Sequence, residues 1–118
     1  MKILLFLSAF FLLCSTNLNA QEIFELDPSQ SMLMTGKGQG QDATINPFAG
    51  QDSFAVVENL GKRAFSVRIQ KQGEILKEIN VAKGQTKKIL LLKEQELYLD
   101  PNPKGKTKAK VSYEELVE

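Results

Sequence analysis

Hydrophobic and polar residues alternate with a period of two over most of the second half of this chain. The clearest stretch is Phe54 to Lys71, FAVVENLGKRAFSVRIQK. Phe65, Val67 and Ile69 fall on one side, and Ser66, Arg68 and Gln70 on the other, the pattern of a half-buried strand. Phe54 to Val57 is apolar on both sides, as a central, covered strand would be. The polar link Asn59-Leu60-Gly61-Lys62-Arg63 between the two runs predicts a hairpin whose loop is longer than a two-residue turn.

The same rhythm continues to the end of the chain. It predicts strands at 54–58, 64–71, 74–81, 86–92, 96–100 and 107–113. They are punctuated by Gly61, Gln72-Gly73, Lys83-Gly84, Lys93-Glu94-Gln95 and the 100–105 run DPNPKG. Upstream the pattern is weaker. Met32 to Met34 and Ala43 to Ile45 predict short strands, separated by the glycine-rich 36–41 loop. Residues 21–31 read as a flexible lead-in or a weak edge strand, since Pro28 argues against a central one. One strand lacks clean phase: Lys77 keeps step with Ile75, Ile79 and Val81, so either a bulge shifts the register or the lysine sits at the sheet margin. No window carries a helical stripe. The tail 114–118 has room for one helical turn at most. Short strands at this spacing predict an all-β fold: a single small β-sandwich, immunoglobulin-like in architecture, of about six to eight antiparallel strands. It occupies 32–118 behind the 21–31 lead-in.

The first twenty residues do not belong to that fold. Met1-Lys2, the apolar run Ile3 to Leu13 and the small-residue end Asn19-Ala20 predict a signal peptide cleaved before Gln21. The apolar run is shorter than the ~20 residues of a membrane span, and no other segment is a candidate. Cys14, the one cysteine, lies within this leader. A lipid anchor there would need a small residue before the cysteine, where Leu13 stands. The export product therefore has no cysteine and no Asn-x-Ser/Thr acceptor site. It enters a compartment that permits disulfides and must rely on its core instead. Periplasmic or secreted localisation in a bacterium is the expectation.

Lys2 is the one charged residue of the leader, so residues 21–118 carry fourteen basic and fourteen acidic residues. A neutral whole gives no electrostatic push toward nucleic acid or membranes. The chain contains no histidine and no tryptophan. With Cys14 removed, the commonest general base, the thiolate nucleophiles and most transition-metal sites are gone. No cofactor is expected. Gly36-x-Gly38-x-Gly40 lacks the Lys-Ser/Thr and helix of a phosphate loop. The 100–105 run opens like a calcium loop, yet Lys104 stands where an oxygen ligand is needed and Val111 where the distal glutamate belongs. Met32-x-Met34 could offer thioethers to Cu(I) but has no further ligand; core packing is the alternative.

The expected function is therefore binding by an exported, non-catalytic module of the cell envelope or secretome. Its partner would be another protein or an envelope polymer. Loops on a rigid scaffold favour binding, which makes Lys37, Gln39, Gln41, Asp42, Phe48, Gln51 and Asp52 the candidate contact residues. An alternative is an inhibitor or immunity-type protein that inserts one of these loops into a partner's active site. A carboxylate-dependent hydrolase is a second alternative, with no pair of acidic residues at a spacing that demands one. Lys106, Lys108 and Lys110 share one face of the last strand. They form a basic stripe that either binds an anionic partner or guards an exposed edge against edge-to-edge pairing.

Overall fold

The computed structural model describes residues 21–116. The leader expected over 1–20, with Cys14 inside it, lies outside the described residues. Eight strands carry the fold: β1 Glu22–Leu26, β2 Met32–Thr35, β3 Ser53–Asn59, β4 Phe65–Lys71, β5 Glu74–Val81, β6 Thr86–Leu91, β7 Glu96–Asp100 and β8 Thr107–Glu115. They form two antiparallel four-stranded sheets, β1-β8-β3-β6 and β2-β7-β4-β5. The described residues contain no helix. The two sheets enclose one apolar core, so the architecture is a small β-sandwich.

Alternation selects what enters that core. Ala55 and Val57 of β3, Phe65, Val67 and Ile69 of β4, Leu97 and Leu99 of β7, and Ala109, Val111 and Tyr113 of β8 are all buried. Each large side chain removed from water contributes about 1.5–3 kcal/mol. Phe24, Met32, Phe48 and Ile79 pack against this core from its margins. Both strand methionines therefore serve packing: Met34 is fully buried and Met32 lies on the core.

The pairings correct several expectations. β3 and β4 are not a hairpin. They lie in different sheets, and the 60–64 link crosses the core end between them. A five-residue loop spans either route, and alternation on each strand says nothing about which sheet receives it. β3 is central, but its outer face is open, with Phe54 and Val56 only half-buried. Residues 43–45 form no strand: Ala43 and Thr44 lie in a bend, although both still donate main-chain bonds, to Leu33 and Met34. Of the two readings of 21–31, the edge strand is realised: β1 pairs with β8 and buries Leu26. β8 continues through Glu115 in place of a helical turn. The irregularity around Lys77 is a bulge, since Ile69 pairs with Lys77 while Gln70 pairs with Ile75.

Consecutive paired strands occur once among the described residues, in β4-β5. Their two-residue turn, Gln72 (φ 50°) and Gly73 (φ 82°), has the left-handed pair of conformations that suits strand twist. The other connections change sheet. They gather at two ends of the sandwich: 36–52 and 92–95 at one, and 27–31, 60–64, 82–85 and 101–106 at the other.

Candidate functional site

The loops nominated from sequence come together at the first of these ends, joined by a third, 92–95, that sequence reasoning did not include. Asp42 organises the glycine-rich loop. Its carboxylate accepts hydrogen bonds from the main-chain N–H groups of Gly36 (3.0 Å), Lys37 (2.9 Å) and Gly38 (3.1 Å). Thr35 Oγ1 adds a longer contact at 3.4 Å. The chain curls around that carboxylate because Gly36, Gly38 and Gly40 all take positive φ. Gly36 is fixed by space as well, since a Cβ there would come within 2.7 Å of the Gln95 carbonyl oxygen.

Beneath this loop Thr44 is buried and doubly bonded, donating to the Met34 carbonyl (2.6 Å) and meeting Tyr113 Oη at 2.6 Å. Burial pushes the Tyr113 hydroxyl up to about 12, against the opposing pull of its bond to Thr44. Tyr113 is therefore a neutral strut from β8 to the loop. Asn46 Nδ2 reaches Ser53 Oγ (3.4 Å), and Asn46 Oδ1 accepts from the Phe48 N–H (2.9 Å). Asp52 accepts from the Lys93 N–H (2.8 Å) and pins the third loop to the second.

These ties enclose two clefts. One, of about 300 Å³, runs between Lys37, Gln51 and the 92–95 turn. The other, of about 330 Å³, lies around Gln39, Ile45 and Asn46. Ile45 is 86% exposed although both its neighbours, Thr44 and Asn46, are buried.

The nominated residues thus divide. Lys37, Gln39, Gln41 and Gln51 present exposed side chains. Lys37 and Gln51 line the first cleft and Gln39 the second, while Gln41 lines neither. Asp42 and Asp52 act as main-chain acceptors within the scaffold, and Phe48 packs on the core. Ile45 was missed because it sat inside a stretch read as a strand.

The basic stripe divides along β8. β8 lies between β1 and β3, so its lysines guard no edge. Lys110 is half-buried and paired with Glu58 at 3.2 Å. Lys106 and Lys108 turn instead toward the opposite end, beside Lys62 and Arg63.

A polar network covers the outer face of the second sheet. Arg68 donates to both carboxylate oxygens of Asp100 at 2.9 Å and lies 4.2 Å from the Tyr98 ring centre. Ser31 Oγ adds a 2.6 Å bond to Asp100. Burial alone would raise the Asp100 carboxyl. The hydrogen bonds from Arg68 and Ser31, with the Arg68 charge, reverse this and hold it below its ordinary value. The bond to Asp100 in turn raises Arg68. This network braces β2, β4 and β7, and it occupies the aspartate that opens the calcium-like run. Asn102 is likewise engaged, with the Ala64 carbonyl and the Lys104 N–H. Among the described residues no three acidic, histidine or cysteine side chains cluster as metal ligands.

Comparison with known proteins gives no match, whether to a protein family, to a curated protein or to a solved structure.

Proposed function

We propose that this protein is an exported, non-catalytic binding module, immunoglobulin-like in architecture, of the bacterial cell envelope or secretome. The signal-like residues 1–20 support export, with cleavage before Gln21. The observation that carries the binding assignment is Ile45. A large apolar side chain is held in solvent on a base whose flanking residues, Thr44 and Asn46, are both buried and hydrogen-bonded. A rigid scaffold that holds an apolar anchor beside polar clefts suits a protein partner, because ordering costs little on binding. Lys37, Gln39 and Gln51 form the polar rim. The use of Asp42 and Asp52 as main-chain acceptors favours binding over carboxylate hydrolysis at this end.

Ile45 also favours a second reading, an inhibitor that inserts this loop into a partner's active site. Pulldown from an envelope extract with wild type and Ile45→Glu tests the shared surface. The expected result is partner capture that falls at least tenfold in the variant, as for a hot-spot residue. Unfolding should be unchanged because the residue is exposed. Equal capture by both proteins would reject this surface. Loss of the captured partner's enzymatic activity on complex formation would select the inhibitor.

A further inference from the structure

The charge balance of residues 21–118 is neutral in total but not in space. The loops at the second end, 27–31, 60–64, 82–85 and 101–106, contain Lys62, Arg63, Lys83, Lys104 and Lys106 against Asp27 alone. Lys62, Arg63, Lys106 and Lys108 line an open cleft of about 590 Å³ there, with Glu25 as the one acidic member. The ion pairs among the described residues use Arg68, Lys71, Lys88 and Lys110, and none includes Lys62, Arg63, Lys106 or Lys108.

The cleft is also held in shape. Asn59 is buried at the end of β3. Its amide donates to the Arg63 carbonyl (2.8 Å) and the Val81 carbonyl (3.0 Å), and its oxygen accepts from the Gly61 N–H (2.9 Å). Thr107 Oγ1 donates to the same Arg63 carbonyl at 2.8 Å. The loop sits so close to β8 that a Cβ on Gly61 would come within 2.6 Å of the Lys108 nitrogen. The Arg63 side chain lies against Gly105, where a Cβ would meet Nε at 2.5 Å. At the mouth of the cleft Leu60 is 41% exposed among the cations.

From this we infer that the second end docks on an anionic lipid surface, with Lys62, Arg63, Lys106 and Lys108 against headgroup phosphates and Leu60 entering the interface. No aromatic side chain lines the cleft. It therefore offers no stacking platform for nucleic-acid bases, and charge is its means of recognition. An exposed leucine ringed by lysines and arginine fits an interfacial depth, where apolar burial and attraction to anionic lipid act together. This surface is separate from the loop end proposed to bind a protein, and each can fail without the other.

Co-sedimentation with vesicles of equal parts phosphatidylglycerol and phosphatidylcholine tests it, with pure phosphatidylcholine as the neutral control, in about 0.05 M and about 0.3 M salt. Binding should require the anionic lipid and weaken at the higher salt. Each cation removed should weaken it about fivefold, so Lys62→Gln with Arg63→Gln should lose about 25-fold. Leu60→Ser should lose severalfold with no change in salt sensitivity. Lys37→Gln with Lys93→Gln, at the other end, should bind as wild type. Circular dichroism checks that each variant is folded. Failure to bind anionic vesicles, equal binding to neutral ones, or equal loss from the far-end variant would overturn the inference. So would wild-type binding by Leu60→Ser, or tight binding to soluble polyphosphate by a protein that leaves vesicles alone.

Discussion

The two ends of the sandwich hold their longest loops by different means. At the first end, charged side chains work beside the neutral ties of Thr44 and Asn46: Asp42 gathers three main-chain N–H groups and Asp52 a fourth. At the second end, Asp27 caps only its own 27–31 turn, and neutral side chains hold the 60–64 backbone from inside, through Asn59 and Thr107. The difference decides what is left for solvent. Where aspartates face inward to their own backbone, the exposed groups are the glutamine amides, Ile45 and charges of both signs, Lys37 and Lys93 with Glu94. Where a buried asparagine does the tying, the loop's charges all remain free. Residues 21–118, neutral in sum, thereby present one cationic end, which is why their overall charge balance misrepresents their surface.

The two kinds of tie should respond differently to removal. Asn59→Ala should have the larger effect. It leaves the buried Val81 carbonyl short of a donor and the part-buried Arg63 carbonyl with Thr107 alone, and should cost about 2–3 kcal/mol. Urea unfolding measures this, and hydrogen exchange should show amides 60–64 opening first. A loss below about 1 kcal/mol would mean that the packing of Gly61 against β8 holds the loop without the asparagine. Asp42→Ala should cost less, about 1–2 kcal/mol, because the Gly36, Lys37 and Gly38 amides that it frees are exposed and gain water as a partner. Its signature is local. Exchange at these three amides should rise while 60–64 stays protected. Matching exchange changes at both ends would show that the loops are one cooperative unit and would remove the contrast.

Much of this architecture was legible in the chain. Strict alternation located β4 and β8 and put Val67, Ile69, Ala109 and Val111 inside, because burial on one face writes itself into a period of two. The phase slip at Lys77 left a bulge and a marginal lysine as alternatives, and the pairing shows the bulge. Sheet membership was not legible. Asn59-Leu60-Gly61-Lys62-Arg63 reads as any polar loop, and only the fold reveals that Asn59 is the buried end of β3 and that the chain changes sheet there. The lysines of β8 were placed on the correct face but given the wrong setting, since strand order decides whether Lys110 meets water or Glu58. The loops of the first end were found from their glycines. The roles of Asp42 and Asp52 were not, because a carboxylate that caps its own loop and one that meets a partner look identical in sequence.

The smallest expected effect concerns the one aspartate of the second end's strands, which sharpens the contrast by showing where that end keeps its acid. Asp100 sits at the end of β7, yet Arg68 and Ser31 hold it on the outer sheet face, away from the cationic loops. Its carboxyl lies below the ordinary 3.8. A group depressed in the folded state contributes stability above its unfolded value, and that contribution disappears as pH falls through the folded one. At neutral pH Asp100→Asn should therefore cost about 1 kcal/mol, the upper range for a well-formed ion pair at a partly exposed site. The difference from wild type should shrink as pH drops below 3.8 and vanish near the bottom of the accessible range. Salt should narrow it as well, since both side chains still touch solvent. Urea unfolding of the two proteins across this pH window measures the effect. A difference that persists unchanged into acid would show that shape and hydrogen bonding at Asp100, which asparagine partly mimics, matter more than its charge. Arg68 would then be held chiefly by its contact with the Tyr98 ring.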